Sequence, residues 1–534
     1  MRRILLLAAL LTAPLFAQSP PPPKSPTPPI TALPGPLVIV GGGGMPESVR
    51  KAFVELAGKE KAKIVVVPTA SVDADDPAKA DSFREGWLKL GPASVTLLHA
   101  KDEKEANDEA FLKPLTEATA VWFSGGDQSR IVARYRGTKF ESVLMALHRK
   151  GVVIGGTSAG AAIMTPTMIT GGRETATLGT GFDLLPGFVV DQHFVKRNRK
   201  ARLVGAIASK PGLVGMGIDE ATAAVVTGRT IKVVGESTVS MFLTAGAGRE
   251  PLEQTLKPGQ VADLIQLRRA AANRASDRPF PPKSPPSEPM VKSGALVVVG
   301  GGGLPKAITD RFIELAGGKD APLVVIPTAM EDPIATHSEE TLFRRLGMSN
   351  VTILHTRDRK VADDPDFSRA LLTAKAVWFG GGRQWRFVDA YEATLTEKRF
   401  HDVLDRGGVI GGSSAGASIQ SEYMPRGHPL GNTVVDAEGY ERGFGFLRGC
   451  AVDQHFFARN RTKDMTGLMT RYPPYLGIGI DEATAIVVKG SVAEVIGRSK
   501  VGFYDWSKGK PPGDQDYIEV KTGESFDLVR RAKR

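Results

Sequence analysis

The sequence predicts an α/β protein of two tandem domains, each an open, mostly parallel sheet flanked by helices. Three observations predict it. The text is written twice, each copy alternates short β-branched runs with helical patterns, and those runs are continuously apolar. Continuous apolarity marks strands buried on both faces, as in parallel sheets. VIVGGGGMP at 38–46 returns as VVVGGGGLP at 297–305, and VVPTA at 66–70 as VIPTA at 325–329. VWFSGG at 121–126 returns as VWFGGG at 377–382, and GGTSAGA at 155–161 as GGSSAGA at 411–417. VDQHF at 190–194 and GIDEATA at 217–223 return unchanged at 452–456 and 479–485. A repeat of this length is a whole domain rather than a solenoid unit. The offset is 256 residues from Ser158 to Ser414 but 262 from His193 to His455, so repeat two carries six extra residues in between.

In chain order, residues 1–17 read as a secretory signal peptide: Met1-Arg2-Arg3, an apolar run from Ile4 to Leu11, and small residues up to Ala17. That run is short for a membrane span, so the mature protein is expected to be secreted or periplasmic and free of the membrane after cleavage. A Pro-rich tether follows at 18–34, then domain 1 at 35–275, a Pro-rich linker at 276–292 and domain 2 at 293–534. In domain 1, strands are expected at 36–40, 63–67, 94–98, 120–123 and 151–155. Helices are expected at Pro46–Ala57 and Lys139–Lys150, with Pro46 suited to a first turn. The 534 residues are 42% hydrophobic and 24% charged, an ordinary globular balance. The formal charge of +11 is spread among interspersed acids, which argues against nucleic acid as a partner. One cysteine, Cys450, excludes an intrachain disulfide framework and a Cys-rich metal site.

The chemistry concentrates at GTSAG, 156–160, and GSSAG, 412–416, which fit G-x-S-x-G between an apolar strand and an apolar helix pattern. Such a turn lifts a serine hydroxyl above a helix N-terminus and frees the next amide to hold an oxyanion. Ser158 and Ser414 are thus candidate nucleophiles. A serine needs a base. Of eight histidines, His193 and His455 recur in an identical context. His99 and His355 also recur, as structural or cleft-rim residues. For the carboxylate that orients the imidazole, Glu174 lies between serine and histidine, with Glu220 and Asp191 as competitors. Repeat two has no acid in the corresponding stretch 426–430, where Asp436, Glu438 and Glu441 are the substitutes. The basic runs 196–202 and 459–461 read either as solvated helix faces or as clamps for a substrate carboxylate. Gly41–Gly44 lacks the third glycine of a dinucleotide fingerprint and any GK[ST], so it reads as backbone approaching the cleft.

WFSGGDQ, GGTSAGA, DQHFxxRxR and GIDEATA, in this order and in duplicate, resemble cyanophycinase and its relatives over residues 35–245 and 293–500. The resemblance implies serine exopeptidases with a fold like class I glutamine amidotransferases. It implies a Ser-His-Glu triad at Ser158, His193 and Glu174, with Ser414 and His455 in repeat two. It also implies an oxyanion hole at Gly126 and Ala159, matched by Gly382 and Ala415. The implied substrate contacts are Gln128, Asp191, Gln192, Arg197, Arg199 and Arg202, matched by Gln384, Asp453, Gln454, Arg459 and Arg461. The implied substrate is cyanophycin, an aspartate backbone bearing arginine on each β-carboxyl, released as β-Asp-Arg dipeptides. No metal and no organic cofactor is implied. Asp464 replaces Arg202 and Arg383 replaces Asp127 in repeat two, which puts its specificity in doubt. The alternatives are a peptidase for other aspartyl or isoaspartyl peptides, or a non-catalytic binding protein on a decayed peptidase fold. An amidotransferase is disfavoured, since its elbow carries cysteine. By analogy with enzymes that pair with themselves, the two repeats could form an internal pseudo-dimer.

Overall fold

A computed structural model describes residues 31–534 apart from 283–285, 333, 335–337 and 512–514. The expected signal peptide and most of the tether lie outside the described residues. In repeat one the main sheet has eight strands, in the order Ser94–Leu97, Lys63–Val67, Ala120–Phe123, Val153–Thr157, Leu37–Val40, Thr222–Thr227, Thr230–Gly235, Val261–Asp263. The first five are parallel and the last three antiparallel. All five expected strands and both expected helices are present, the latter at Glu47–Leu56 and Lys139–Arg149. Repeat two rebuilds this layer as nine strands around Val291–Val299, Val409–Ser413 and Ala376–Phe379.

Helices cover both faces, because every residue of strands such as Leu37–Val40 and Ala120–Phe123 is buried. On one face Phe53, Trp87 and Trp122 pack with ring centroids 4.8–5.1 Å apart. Phe312, Phe343 and Trp378 repeat the arrangement in the second copy.

Each repeat also holds a second sheet that the sequence reading did not anticipate. In repeat one it runs Leu252–Leu256, Val239–Leu243, Val214–Ile218, Phe188–Gln192. In repeat two it runs Ser421–Tyr423, Leu447–Gln454, Leu476–Ile480, Lys500–Asp505, Ile518–Lys521. Most of these strands are separated by helices or long loops, and only their pairing makes them a sheet. The serine turn leaves the main sheet, and the histidine leaves the second. The site therefore lies where the two sheets abut.

The repeats touch through repeat one's late residues and, in repeat two, the helix Trp385–Tyr391 with Glu392 after it and the segment that carries the insertion. Arg229 donates to Asp389 at 2.7 Å and to the Tyr440 hydroxyl at 2.9 Å, with its guanidinium 4.0 Å over the Trp385 ring. Arg269 reaches Glu392 at 2.7 Å and the Gly439 carbonyl at 2.5 Å. Arg274 makes a two-pronged pair with Glu438, at 2.6 and 2.9 Å. Arg249 pairs with Asp436 at 3.1 Å and with Glu441. In each of these pairs repeat one supplies the arginine and repeat two the acceptor. A contact of this kind is heterologous, without the reciprocity of a two-fold pair.

Candidate active sites

Ser158 closes the strand Val153–Thr157 and precedes the four-residue helix Ala159–Ala162. Its φ of 50° is left-handed, a strained backbone for a non-glycine residue that surrounding contacts must hold. Its amide donates to the Val40 carbonyl at 3.0 Å. Gly160 then turns so tightly that a Cβ would fall 2.3 Å from the Phe123 carbonyl oxygen. Ser414 repeats the geometry with φ 55° and a 3.0 Å bond to the Val299 carbonyl. Both serines thus occupy the sharp elbow that the motif demands.

Ser158 Oγ lies 3.0 Å from His193 Nε2, and His193 Nδ1 lies 2.6 Å from Glu220 Oε1. In repeat two Ser414 Oγ lies 2.9 Å from His455 Nε2, and His455 Nδ1 lies 2.6 Å from Glu482 Oε1. A carboxylate on Nδ1 keeps the proton there and leaves Nε2 to accept from the serine hydroxyl. The expected acid, Glu174, is not part of this line. It is exposed, in the segment joining the strands Thr167–Gly171 and Thr177–Thr180. Glu220, weighed as its competitor, takes the place. Asp436, Glu438 and Glu441 are likewise not the second acid, because they hold Arg249 and Arg274. The signal for Glu220 and Glu482 was already present: GIDEATA occurs in both repeats, whereas Glu174 has no counterpart.

The glycine run brings backbone against this line, as the sequence suggested. The Gly41 carbonyl accepts from His193 N at 2.7 Å and the Gly42 carbonyl from Ala221 N at 2.9 Å. Gly42 has φ 95°, and a Cβ there would stand 2.4 Å from His193 Cε1. Asp219 fixes the chain beyond the histidine, accepting from the amides of Val195 and Lys196 at 3.1 and 3.0 Å and from the Ser237 hydroxyl at 2.7 Å. Burial works against its charge, but those donors outweigh it and hold its carboxyl below the usual range. Burial also lowers both imidazoles, His193 and His455, and the bonds to Glu220 and Glu482 oppose this only in part. Both rings are therefore neutral near pH 7, the form a general base requires.

The expected oxyanion groups border each serine. Ala159 and Ala415 are the first residues of their helices, where an amide has no intrahelical acceptor. Gly126 and Gly382 have φ 139° and 134° and turn the chain beneath Ala70 and Ala329. The neighbouring Gly125 and Gly381 come nearest to the serines, with ideal Cβ positions 3.5 and 3.8 Å from the Ser158 and Ser414 Cβ atoms.

Several expected substrate contacts are engaged within the protein. Gln128 Nε2 donates to the Ile169 and Thr170 carbonyls at 3.1 and 3.0 Å, and Gln384 Nε2 to those of Pro425 and Arg426 at 2.8 and 3.0 Å. Asp191 is fully buried and takes two bonds from Arg202, at 2.7 and 2.5 Å. Burial raises its carboxyl, and Arg202 and Arg199 oppose that. Arg199 donates to the Gln192 carbonyl at 2.7 Å, and Arg461 to the Gln454 carbonyl and side-chain oxygen at 2.6 and 2.8 Å. Gln192 Oε1 is buried without a protein partner. Arg197 and Arg459 are exposed, in the turn after each histidine, and each donates its amide to the histidine's carbonyl at 3.0 Å. Among the described residues, no cluster of His, Cys, Asp and Glu could hold a metal ion.

Comparison with known proteins agrees with this chemistry. The model of peptidase family S51 matches residues 37–234 and again 296–496. The cyanophycinase of Synechococcus elongatus is 36% identical over 218 residues, covering 38% of this chain and 67% of its own length. That of Geminocystis herdmanii is 33% identical over 207 residues, covering 38% of this chain and 75% of its own. A solved peptidase from an acI-B1 Actinobacterium is 22% identical, covers 44% of this chain and 98% of its own, and superposes with a TM-score of 0.35. With a serine elbow in each repeat and one family model matching both, the chain belongs to peptidase family S51 and is a serine-type peptidase in two tandem copies.

Proposed function

We propose that the chain is a cyanophycinase-like exopeptidase with two working sites, cleaving aspartate-backbone peptides and releasing β-aspartyl dipeptides. The observation that carries this reading is the line Ser158–His193–Glu220, repeated at Ser414–His455–Glu482 within 0.1 Å at the first contact and identically at the second. The named cyanophycinases supply the substrate class. Ser158 Oγ attacks the scissile carbonyl while His193 Nε2 takes its proton. Glu220 stabilises the imidazolium that forms. The amides of Ala159 and the Gly125–Gly126 turn face the developing oxyanion. His193 then passes the proton to the leaving amine, and a water molecule deprotonated by the same ring frees the acyl group from the serine. Ser414, His455 and Glu482 carry the same steps in repeat two, with Ala415 and the Gly381–Gly382 turn. Exposed Arg197 and Arg459 are placed to pair with a substrate carboxylate.

The apolar run behind Met1-Arg2-Arg3 supports export of the enzyme. Incubation of the wild type, Ser158→Ala, Ser414→Ala and the double variant with cyanophycin and with isoaspartyl dipeptides, read by mass spectrometry, tests the proposal. Each single variant is expected to keep part of the hydrolysis and the double variant to lose it. Unchanged hydrolysis by the double variant ends the serine assignment, and an intact polymer with cleaved isoaspartyl dipeptides moves the substrate to the second class.

A further inference from the structure

The second site differs from the first at one buried ion pair. In repeat one Asp191, two residues before His193, is held by Arg202 from the following helix, Lys200–Ser209. In repeat two the position of Arg202 is Asp464, on the corresponding helix Thr462–Arg471. Asp453 is nevertheless 1% exposed and needs a cation, since a buried carboxylate left unpaired is strongly unfavourable. The cation comes from a different element. Arg426 Nε lies 3.0 Å from both Asp453 oxygens, its Nη2 2.6 Å from Asp464 Oδ2 and its Nη1 3.1 Å from the Asn432 carbonyl. Arg461 adds a 3.0 Å contact to Asp453. Arg426 is itself 3% exposed.

Arg426 opens the segment that contains the six-residue insertion. The amide of Arg426 bonds the Val435 carbonyl at 2.9 Å, and that of Met424 bonds the Glu441 carbonyl at 2.6 Å, closing the segment on itself. Its far end carries Asp436, Glu438 and Glu441, which hold Arg249 and Arg274 of repeat one. One short stretch of chain therefore joins the strand that ends at His455 to the contact between the repeats.

We propose that Arg426 is the positioning residue of the second active site, replacing the arginine that repeat one supplies at Arg202, and that repeat one steadies it through Arg249 and Arg274. This rests on the reading of Ser414, His455 and Glu482 as a working site. Arg426 acts through Asp453 and the strand Leu447–Gln454 on the imidazole that follows. The second site works at full rate only while repeat one is docked; the first carries its own Arg202 and does not depend on the second.

The test uses the full chain with Ser158→Ala, so that only the second site turns over. Arg426→Ala is expected to lower kcat/KM about 100-fold, the scale of a misplaced catalytic group. Adding Asp464→Arg, which returns the arginine to the repeat-one position, is expected to recover at least tenfold of that loss, on the same scale. With Arg426 gone, Asp453 keeps its 3.0 Å ion pair with Arg461, and its less compensated carboxylate favours the imidazolium of His455, which already faces Glu482, Arg459 and Arg461. The acid limb of the pH profile therefore moves to higher pH in Arg426→Ala and back in the double variant, which a loss of folded protein alone does not produce. Arg249→Ala with Arg274→Ala lowers second-site turnover and leaves the first site, read with Ser414→Ala, unchanged. Hydrogen exchange over 447–460 is followed in the same proteins and is expected to quicken in Arg426→Ala and slow again on adding Asp464→Arg. A second site that never turns over defeats the hydrolytic reading, and exchange still decides the positioning. Wild-type turnover and exchange in Arg426→Ala, or a folded double variant with no recovery, overturns the proposal.

Discussion

Replacing Glu220 by glutamine, in a chain whose second site is silenced by Ser414→Ala, isolates what the carboxylate contributes to the first. Glu220 Oε1 is 2.6 Å from His193 Nδ1, which puts the two charge centres about 4 Å apart once the ring is protonated. At an effective dielectric of about 20, that attraction is worth about 4 kcal/mol, or roughly 10³ in rate. The Glu220 side chain keeps 27% exposure, which screens part of the attraction. The glutamine amide also permits the unproductive tautomer, which adds to the loss, as the roughly 10⁴ drop in chymotrypsin-type enzymes illustrates. The expected result is therefore a fall in kcat of about 10³ with little change in KM, because the imidazolium exists only along the reaction path. Initial rates of dipeptide release, followed by chromatography at several substrate concentrations, measure it. Glu174→Gln in the same background is expected to stay within about twofold of the parent, since an exposed residue away from the ring has no charge to stabilise. The opposite pattern, a large loss at Glu174 and none at Glu220, would refute the assignment of the acid.

Three further outcomes follow from the geometry. Gly42→Ala in the Ser414→Ala background pushes a methyl to 2.4 Å from His193 Cε1 and should cut kcat about 100-fold, whereas Gly205→Ala, in the helix Lys200–Ser209 with nothing within 4 Å, should spare it. Trp122→Ala empties the space between Phe53 and Trp87 in a residue only 2% exposed, and should cost about 3–5 kcal/mol in denaturant unfolding. His148 is 3% exposed and burial lowers its imidazole to about 4 from an ordinary 6.5. The unfolded chain therefore binds a proton that the folded one refuses, so this ring imposes no pH-dependent penalty above pH 6.5 and destabilises the fold progressively as pH falls toward 4, by about 3 kcal/mol at the bottom of the window. The stability difference between the wild type and His148→Phe should therefore shift against the wild type by that amount across the window, and a difference that does not change with pH would count against it.

The main sheet was legible because each of its parallel strands is a local apolar run between turn residues, a pattern visible without knowing any partner. Val153–Thr157 and the elbow after it announced themselves the same way. The second sheet was not legible, since Val239–Leu243 gains its meaning only from pairing with Val214–Ile218 on one side and Leu252–Leu256 on the other, and sheet order is a tertiary fact. The triad acid failed for a related reason. Glu174 was favoured by its place between serine and histidine along the chain, yet the carboxylate that meets Nδ1 comes from beyond the histidine, at the end of the neighbouring strand Val214–Ile218. Chain order does not rank triad members, because the same constellation recurs in several orders on unrelated folds.

Duplication is the better guide, and it has a physical basis. Two copies of one fold that have drifted apart keep in common what the shared geometry requires, and Glu220 and Glu482 meet their rings at the same 2.6 Å. The same logic shows what sequence position cannot. Arg202 and Asp464 occupy equivalent places with opposite charge, which reads as a lost site until Arg426 is seen supplying the cation from another element. What the fold preserves at Asp191 and Asp453 is a guanidinium on a buried carboxylate, and the residue that delivers it is free to move along the chain. A comparison of the repeats by position registers the first kind of constraint and misses the second, so departures from a family pattern at buried ion pairs are best judged by whether the charge is still met.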